Sequence, residues 1–278
     1  MTDHGWLDVD VLDTHTVLTL RREETMNALT PAMVGELDAA LRDAAARRSC
    51  RAVVLTGAGK GFCVGIDVKE VAARDAGAGT KGLDPLLAGF ENLHHRLSTV
   101  IRTIHTLPIP VIAAVNGHAI GLGFAMAAAC DLRVAGPGAA FADGFVKRGI
   151  SGCELGLSYF LPRVVGPAVA HELMLTGRRV RADEALAIGL VSRVADDVVE
   201  TAGELATALA ENAPAAVSMT KEVMWANLHA SSLDQALALE ARTQSLLRAT
   251  ADAKEARKAF LEKRAPEFGD PPTERPTR

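Results

Sequence analysis

The sequence predicts a layered α/β fold with parallel strand pairing, and three observations carry that expectation. Arg51–Gly57 holds the apolar run Ala52–Leu55 and ends in glycine, and Val111–Val115 is apolar throughout and followed by Asn-Gly; such short unbroken runs suit strands buried on both faces. Stretches with apolar residues at helical spacing separate them, so strand and helix alternate along the chain. The composition can supply a core: of 278 residues, 49% are hydrophobic and 23% charged, with a mean hydropathy of +0.15, which excludes a disordered chain except at its ends.

Trp6–Leu12 and His15–Leu20 alternate well enough to predict an early hairpin. Thr30-Pro31 then supplies an N-cap and a proline at the first helical position, and Met33, Leu37, Ala40, Leu41 and Ala44 recur at helical spacing. After the strand at Arg51–Gly57, the Ala- and Gly-rich stretch Ala72–Gly82 predicts a mobile loop. A helix is predicted over Pro85–Leu107, a strand over Val111–Val115, a closely packed helix over Gly121–Ala129 and a strand over Leu132–Ala135. Beyond about Pro167 the pattern is nearly all helical, with a brief extended run at Leu190–Val194, and the prolines from Pro266 onward predict a frayed end. Ile109–Cys130 is almost uncharged and as long as a membrane span. Pro110, Asn116, Gly117, His118, Gly121 and Gly123 interrupt it without any Lys/Arg asymmetry at its flanks, so it reads as a buried strand, a glycine turn and a buried helix.

Charge removes one class of function. The 34 acidic residues exceed the 30 basic ones, and aromatics make up only 4%, whereas a nucleic-acid surface needs clustered positive charge and stacking rings. Cys50, Cys63, Cys130 and Cys153 form no C-x-x-C pair. They are expected to be reduced, small buried hydrophobes in a cytoplasmic protein, and Met1–Asp10 lacks the pattern of a signal peptide. Gly57-Ala-Gly59-Lys60-Gly61 lacks the spacing of a phosphate loop, and Gly121-Leu-Gly123 is followed by Met126 where a dinucleotide fingerprint needs a small residue. There is no G-x-S-x-G elbow, and His94-His95 has no metal-ligand spacing, so no metal is expected and the eight histidines read as ordinary surface or core residues.

Two glycine turns are more specific. Val53-Val-Leu-Thr-Gly-Ala-Gly-Lys-Gly-Phe-Cys-Val-Gly65-Ile-Asp67-Val-Lys69-Glu70, with Pro110-Val-Ile-Ala-Ala-Val-Asn-Gly117-His-Ala-Ile-Gly121-Leu-Gly123, resembles the paired signature of the crotonase, or enoyl-CoA hydratase/isomerase, family. Cys130-Asp131-Leu-Arg133, Leu161-Pro162-Arg163, Leu175-Thr-Gly177, Ala182-Asp-Glu184-Ala185 and Ala259-Phe260-Leu-Glu262-Lys263-Arg264 are similar to family landmarks, in family order over about residues 7–268. The resemblance implies a spiral of repeated ββα units over 1–195 carrying an acyl-CoA site, a helical region over 196–268 that builds a homotrimer or a dimer of trimers, and a disordered tail over 269–278. It also implies that the amides of Ile66 and Leu122 hold a thioester oxygen as it becomes an enolate, each donor being worth roughly 3–4 kcal/mol. Pantetheine would pass Val64 and Ile66, with Asp67, Gly121 and Phe145 bordering the site, and the nucleotide end would meet Arg22 and Lys263, with Phe260 nearby. Coenzyme A enters as part of the substrate, and the family needs no separate cofactor.

The pattern departs from the family's hydratases at both acid positions. Where two glutamates are expected, the chain has Ala125 and Phe145. Losing general acid–base groups worth roughly 10²–10⁴ each makes ordinary hydration doubtful. Glu154, eight residues before Pro162, matches the place of a proton-shuttling aspartate in the family's dienoyl-CoA isomerases. A pocket of Phe124, Phe145, Leu155 and Leu157 is expected to raise its pKa toward neutrality. The competing reading of Glu154 is a carboxylate that satisfies backbone donors at a helix start, and Asp143 is a weaker substitute acid. The expectation is therefore an acyl-CoA enzyme that transfers protons through Glu154. A catalytically silent acyl-CoA-binding protein and a thioester hydrolase using a bound water are the alternatives.

Overall fold

The computed structural model describes residues 5–67 and 85–269, so the expected mobile loop at Ala72–Gly82, Lys69, Glu70 and all of the expected tail except Gly269 lie outside the described residues. A hairpin opens the chain: β1 (Leu7–Val11) pairs antiparallel with β2 (His15–Leu20). Strands β3 (Ala52–Gly57), β5 (Val111–Val115), β7 (Leu132–Ala135) and β10 (Arg193–Val194) then add in parallel, giving a six-stranded sheet in the order β1-β2-β3-β5-β7-β10. A second sheet, β4-β6-β8-β9, is built from β4 (Gly61–Cys63), β6 (His118–Ile120), β8 (Ala140–Ala142) and β9 (Val180–Arg181). Each successive pair, β3-β4, β5-β6 and β7-β8, gives one strand to each sheet, so the backbone winds as a spiral.

Burial follows from alternation along these strands. In β3, Val53 and Leu55 enter the main core, while Ala52 and Val54 point the other way and are buried against Val198, Ala202 and Ala206. Both faces are thus covered, which is why no polar alternation marks this strand. Helix α1 (Pro31–Ala46) starts at Thr30, whose hydroxyl accepts from the Met33 amide, and buries Met33, Val34, Leu37 and Leu41. Helix α2 (Pro85–Thr106) lies against α1 and against α3 (Leu122–Ala129), all eight residues of which are buried. A helix apolar on every side belongs in a core, and among the described residues no helix is long and apolar enough to cross a membrane.

After β8, a short 3₁₀ turn (Val146–Arg148) leads through a loop to α4 (Leu157–Val165) and α5 (Pro167–Thr176). Helix α6 (Ala182–Ala187) precedes β10, and α7 (Val198–Ala210) covers the outer face of the six-stranded sheet with the three residues already named. Helix α8 (Pro214–Asn227) is tied to the core by Lys221, whose ammonium lies 2.7 Å from Asp131 and also donates to the carbonyls of Ile104 and Ile109. His105, Phe160 and Trp225 pack edge to face and join α2, α4 and α8. Helices α9 (Leu233–Arg248) and α10 (Ala251–Glu262) follow, and α9 buries none of its residues. One expectation about the core fails: Cys50, Cys63 and Cys130 are buried free thiols, but Cys153 is exposed, because its loop runs over the surface before α4.

Candidate active site

The first glycine turn leaves the end of β4, and side chains from outside it fix its path. Asn27 donates to the carbonyls of Ala58 and Gly61, and Asn116 donates to those of Gly59 and Gly61 while accepting from the Gly57 amide. Further on, Leu29 forms a parallel bridge with Ile66: its amide donates to the Gly65 carbonyl, and its own carbonyl accepts from the Asp67 amide. A parallel bridge of this kind uses the groups on either side of Ile66. Among the described residues, no backbone carbonyl accepts from the Ile66 amide itself.

The second turn enters α3 at Leu122. The first amides of a helix have no partner within it, and among the described residues the Leu122 amide has no backbone acceptor. The two turns touch. A Cβ placed on Gly65, at φ +105°, would lie 3.7 Å from the Leu122 nitrogen, and one on Gly123 would lie 1.9 Å from the Cys63 carbonyl oxygen. Two amides without backbone partners among the described residues thus lie on turns that glycine contacts hold together.

Contacts continue from these turns toward Glu154. A Cβ on Gly121 would meet the ring of half-buried Phe145 at 3.5 Å and the Asp143 carbonyl at 3.6 Å. Asp143 is buried, and its carboxylate presses on Gly152, where an added Cβ would come within 2.4 Å of Oδ2. Two residues further on is Glu154, which precedes two residues in the left-handed region, Leu155 (φ +50°) and Gly156 (φ +77°). A left-handed leucine is costly and persists only where surrounding structure holds it.

The surroundings of Glu154 differ from the expected apolar pocket. Phe124, Leu155 and Leu157 are buried in the core, with Phe124 packed against Phe141. Glu154 Oε1 instead lies 2.5 Å from His94 Nδ1, on α2. Nor does the carboxylate cap α4, whose N-cap is Gly156 with no side-chain cap bond. His94, expected to be an ordinary histidine, is thus the residue that sequence reasoning missed. Phe145, opposite Gly121, and Ala125, inside α3, occupy the two positions where the resemblance puts the hydratase glutamates.

Arg22 stands beside the first turn, with its guanidinium turned inward, donating to the Ala28 carbonyl and to Asp67 Oδ2 at 3.2 Å. Val64 follows β4 directly, and its amide donates to the Met26 carbonyl. Phe260 is 82% exposed near the end of α10, and Lys263 closes that helix in a left-handed conformation; among the described residues neither has a hydrogen bond or ring contact with the two turns. A cavity of about 260 Å³ lies elsewhere, between α2, α4 and α8, and no described residue of the glycine turns lines it.

Comparison with known proteins decides the family. A family model described as enoyl-CoA hydratase/isomerase matches residues 13–271. The chain belongs to the enoyl-CoA hydratase/isomerase family. It is 36% identical over 251 residues to the short-chain-enoyl-CoA hydratase of Clostridium acetobutylicum, covering 89% of this chain and 91% of that one. It is 40% identical over 262 residues to a Mycobacterium tuberculosis protein named a "probable enoyl-CoA hydratase", covering 91% and 88%. The solved structure of an enoyl-CoA hydratase from Bacillus anthracis superimposes with a TM-score of 0.86 at 33% identity, covering 95% of this chain and 99% of that chain. The α/β spiral is accordingly the crotonase fold, and the chain is an acyl-CoA enzyme of this family.

Proposed function

We propose that this crotonase-family enzyme moves a proton between carbons of an unsaturated acyl-CoA, with Glu154 as the proton carrier and the amides of Ile66 and Leu122 as the oxyanion donors. Glu154 removes a proton from the carbon next to the thioester, and the electron pair of that C–H bond flows into the carbonyl to give an enolate. The two amides hold the enolate oxygen. Protonated Glu154 then returns the proton to the far carbon as the double bond migrates, so the step is redox-neutral and needs no cofactor beyond the coenzyme A of the substrate.

The observation that carries this reading is chemical. Contacts running from Gly121 through Asp143 to Gly152 lead to a titratable carboxylate, Glu154, whereas Ala125 and Phe145 offer no transferable proton. Those two residues also favour the rival reading of a silent acyl-CoA binder, and one experiment separates the two. Glu154→Gln keeps the shape and removes the charge, so double-bond migration in a β,γ-unsaturated hexenoyl-CoA or a conjugated octadienoyl-CoA is expected to slow by roughly 10²–10⁴-fold, with affinity largely kept. Binding of both thioesters without turnover by the wild type supports the silent binder.

In this reading pantetheine runs past Val64, Ile66 and Asp67, with Gly121 and Phe145 forming the wall beside the reacting carbons. Exposed apolar side chains on the last three helices, among them Met224, Leu233, Leu246, Phe260 and Leu261, support assembly into a homotrimer or a dimer of trimers. Phe260 and Lys263 would then meet the coenzyme A of a neighbouring subunit, with Arg22 near its nucleotide end. The buried free thiols Cys50, Cys63 and Cys130 fit a reducing, cytoplasmic setting. Light scattering at micromolar concentration is expected to give a trimer or hexamer, and a stable monomer would contradict the assembly.

A further inference from the structure

The pair formed by Glu154 and His94 bears on where the transferred proton goes. The partners come from distant parts of the chain, the loop before α4 and the side of α2, and meet at 2.5 Å. They are unequally open to water: the Glu154 side chain is 16% exposed and that of His94 is 43% exposed. Glu154 is held in place by its backbone, with its amide donating to the Gly152 carbonyl and its own carbonyl accepting from the Leu157 amide, ahead of the two left-handed residues. The carboxyl group is thus the less open of the two to solvent. An imidazole can hold a transferred proton at Nδ1 and, as the more exposed partner, carry it to water, whereas an amide at the same place takes up no proton.

We propose that His94 is a positioning and proton-exchange residue that connects Glu154 to water, so that a proton taken from the substrate is lost to solvent before it can be returned to the acyl chain. The inference rests on the reading of Glu154 as the proton carrier. The steps balance as acid–base chemistry alone. Glu154, having taken a deuteron from a labelled α-carbon, passes it to Nδ1 of neutral His94, leaving carboxylate and imidazolium. The exposed ring then turns Nδ1 away from the carboxylate toward water, loses the deuteron from that nitrogen, takes up a solvent proton at the same nitrogen and swings back. That proton returns through Nδ1 to Glu154 and is delivered to the γ-carbon.

The test follows α-deuterated β,γ-unsaturated hexenoyl-CoA in ordinary water, reading by mass spectrometry how much label stays in the α,β-unsaturated product. Wild type is expected to lose most of it. His94→Asn places a hydrogen-bonding amide near the position of Nδ1 but cannot relay a proton, so retained label is expected to rise from a minor to the major fraction while turnover falls by less than in Glu154→Gln. His94→Ala is expected to retain label in the same way, and added imidazole to restore its loss. A purely structural His94 would change melting temperature and rate in both variants without moving this partition, and an unchanged partition overturns the proposal. The failures are distinguishable. If Glu154→Gln turns over like wild type, or wild type fails on both the hexenoyl and octadienoyl probes, the carrier reading falls and this inference with it. If Glu154→Gln is inactive but the label partition in His94→Asn matches wild type, only the exchange role falls.

Discussion

Gly123→Ala tests whether the two glycine turns act as one device. The added Cβ would sit 1.9 Å from the Cys63 carbonyl oxygen, and the carbonyl carbon would be only 2.7 Å away. The obstruction is backbone of β4, not the end of a flexible side chain, so no rotamer change relieves it. To reach an ordinary contact, the start of α3 and the end of β4 must part by about 1.5 Å, a distortion of the kind that overpacking imposes at about 1–3 kcal/mol. At roughly 2–4 °C per kcal/mol for a chain of this class, differential scanning fluorimetry will register the loss. Leu122 adjoins Gly123, and Ile66 lies on the turn leaving β4, so the same parting separates the two proposed donors. Losing the use of one such donor costs roughly 10²–10³ in kcat. Gly138→Ala is the control, since nothing lies within 4 Å of a Cβ there and its φ is not positive. An unchanged melting temperature for Gly123→Ala would refute the contact. A lowered melting temperature with turnover intact in the folded fraction would keep the contact and refute the assignment of Ile66 and Leu122 as donors.

Two further predictions concern charged groups in the interior. Lys221→Met strips Asp131 of a partner 2.7 Å away and leaves two carbonyls without their donor, in a pair whose side chains are only 7% and 14% exposed, and breaking a buried pair in this way costs about 3–5 kcal/mol. Urea denaturation is expected to show that loss, with the Asp131→Asn/Lys221→Met double variant less destabilised than the sum of the singles; strict additivity would refute coupling. Asp143 is buried with neither carboxylate oxygen in a hydrogen bond of good geometry among the described residues, and burial holds its carboxyl above the ordinary range, with the amides of Phe145 and Val146 drawing it part-way back. The folded chain therefore holds this proton more tightly than the unfolded chain, so its contribution is fully present below about pH 4 and is lost as pH rises through the folded-state value. Asp143→Asn is expected to melt higher than wild type at pH 7 and close to it at pH 4, and the reverse order would refute the assignment.

The larger sheet was legible because its chemistry is repetitive. Val53, Leu55, Ala113 and Val115 face one core, while Ala52, Val54, Ile112 and Ala114 face the other, and strands covered on both sides leave unbroken apolar runs in the sequence. The smaller sheet left no such trace. Strands β4, β6 and β8 are three residues each, too short for any period to register, and their apposition depends on glycines that let one backbone lie against another. The exposure of Cys153 was hidden for a related reason, since burial in a loop follows the loop's path and not the residue's hydropathy.

The same distinction divides the candidate site. Donation by a backbone amide needs a turn, and turns are written locally: Gly65 at φ +105° and the Gly121-Leu-Gly123 run mark both donors in consecutive residues. A side-chain pair is written nowhere locally. Glu154 and His94 are 60 residues apart. His94 occupies a half-buried helical position that any polar residue could fill, and the direction of Glu154 depends on how the loop turns at Leu155 and Gly156. Family resemblance could single out Glu154, because it aligns one position at a time, but it could not supply a partner that exists only once α2 and that loop are packed together. The carboxylate alone reads as an acid in an apolar pocket. With an imidazole against it, the question shifts from whether the proton can be held to how quickly water replaces it, and that rate decides whether the hydrogen on the product comes from the substrate or from the solvent.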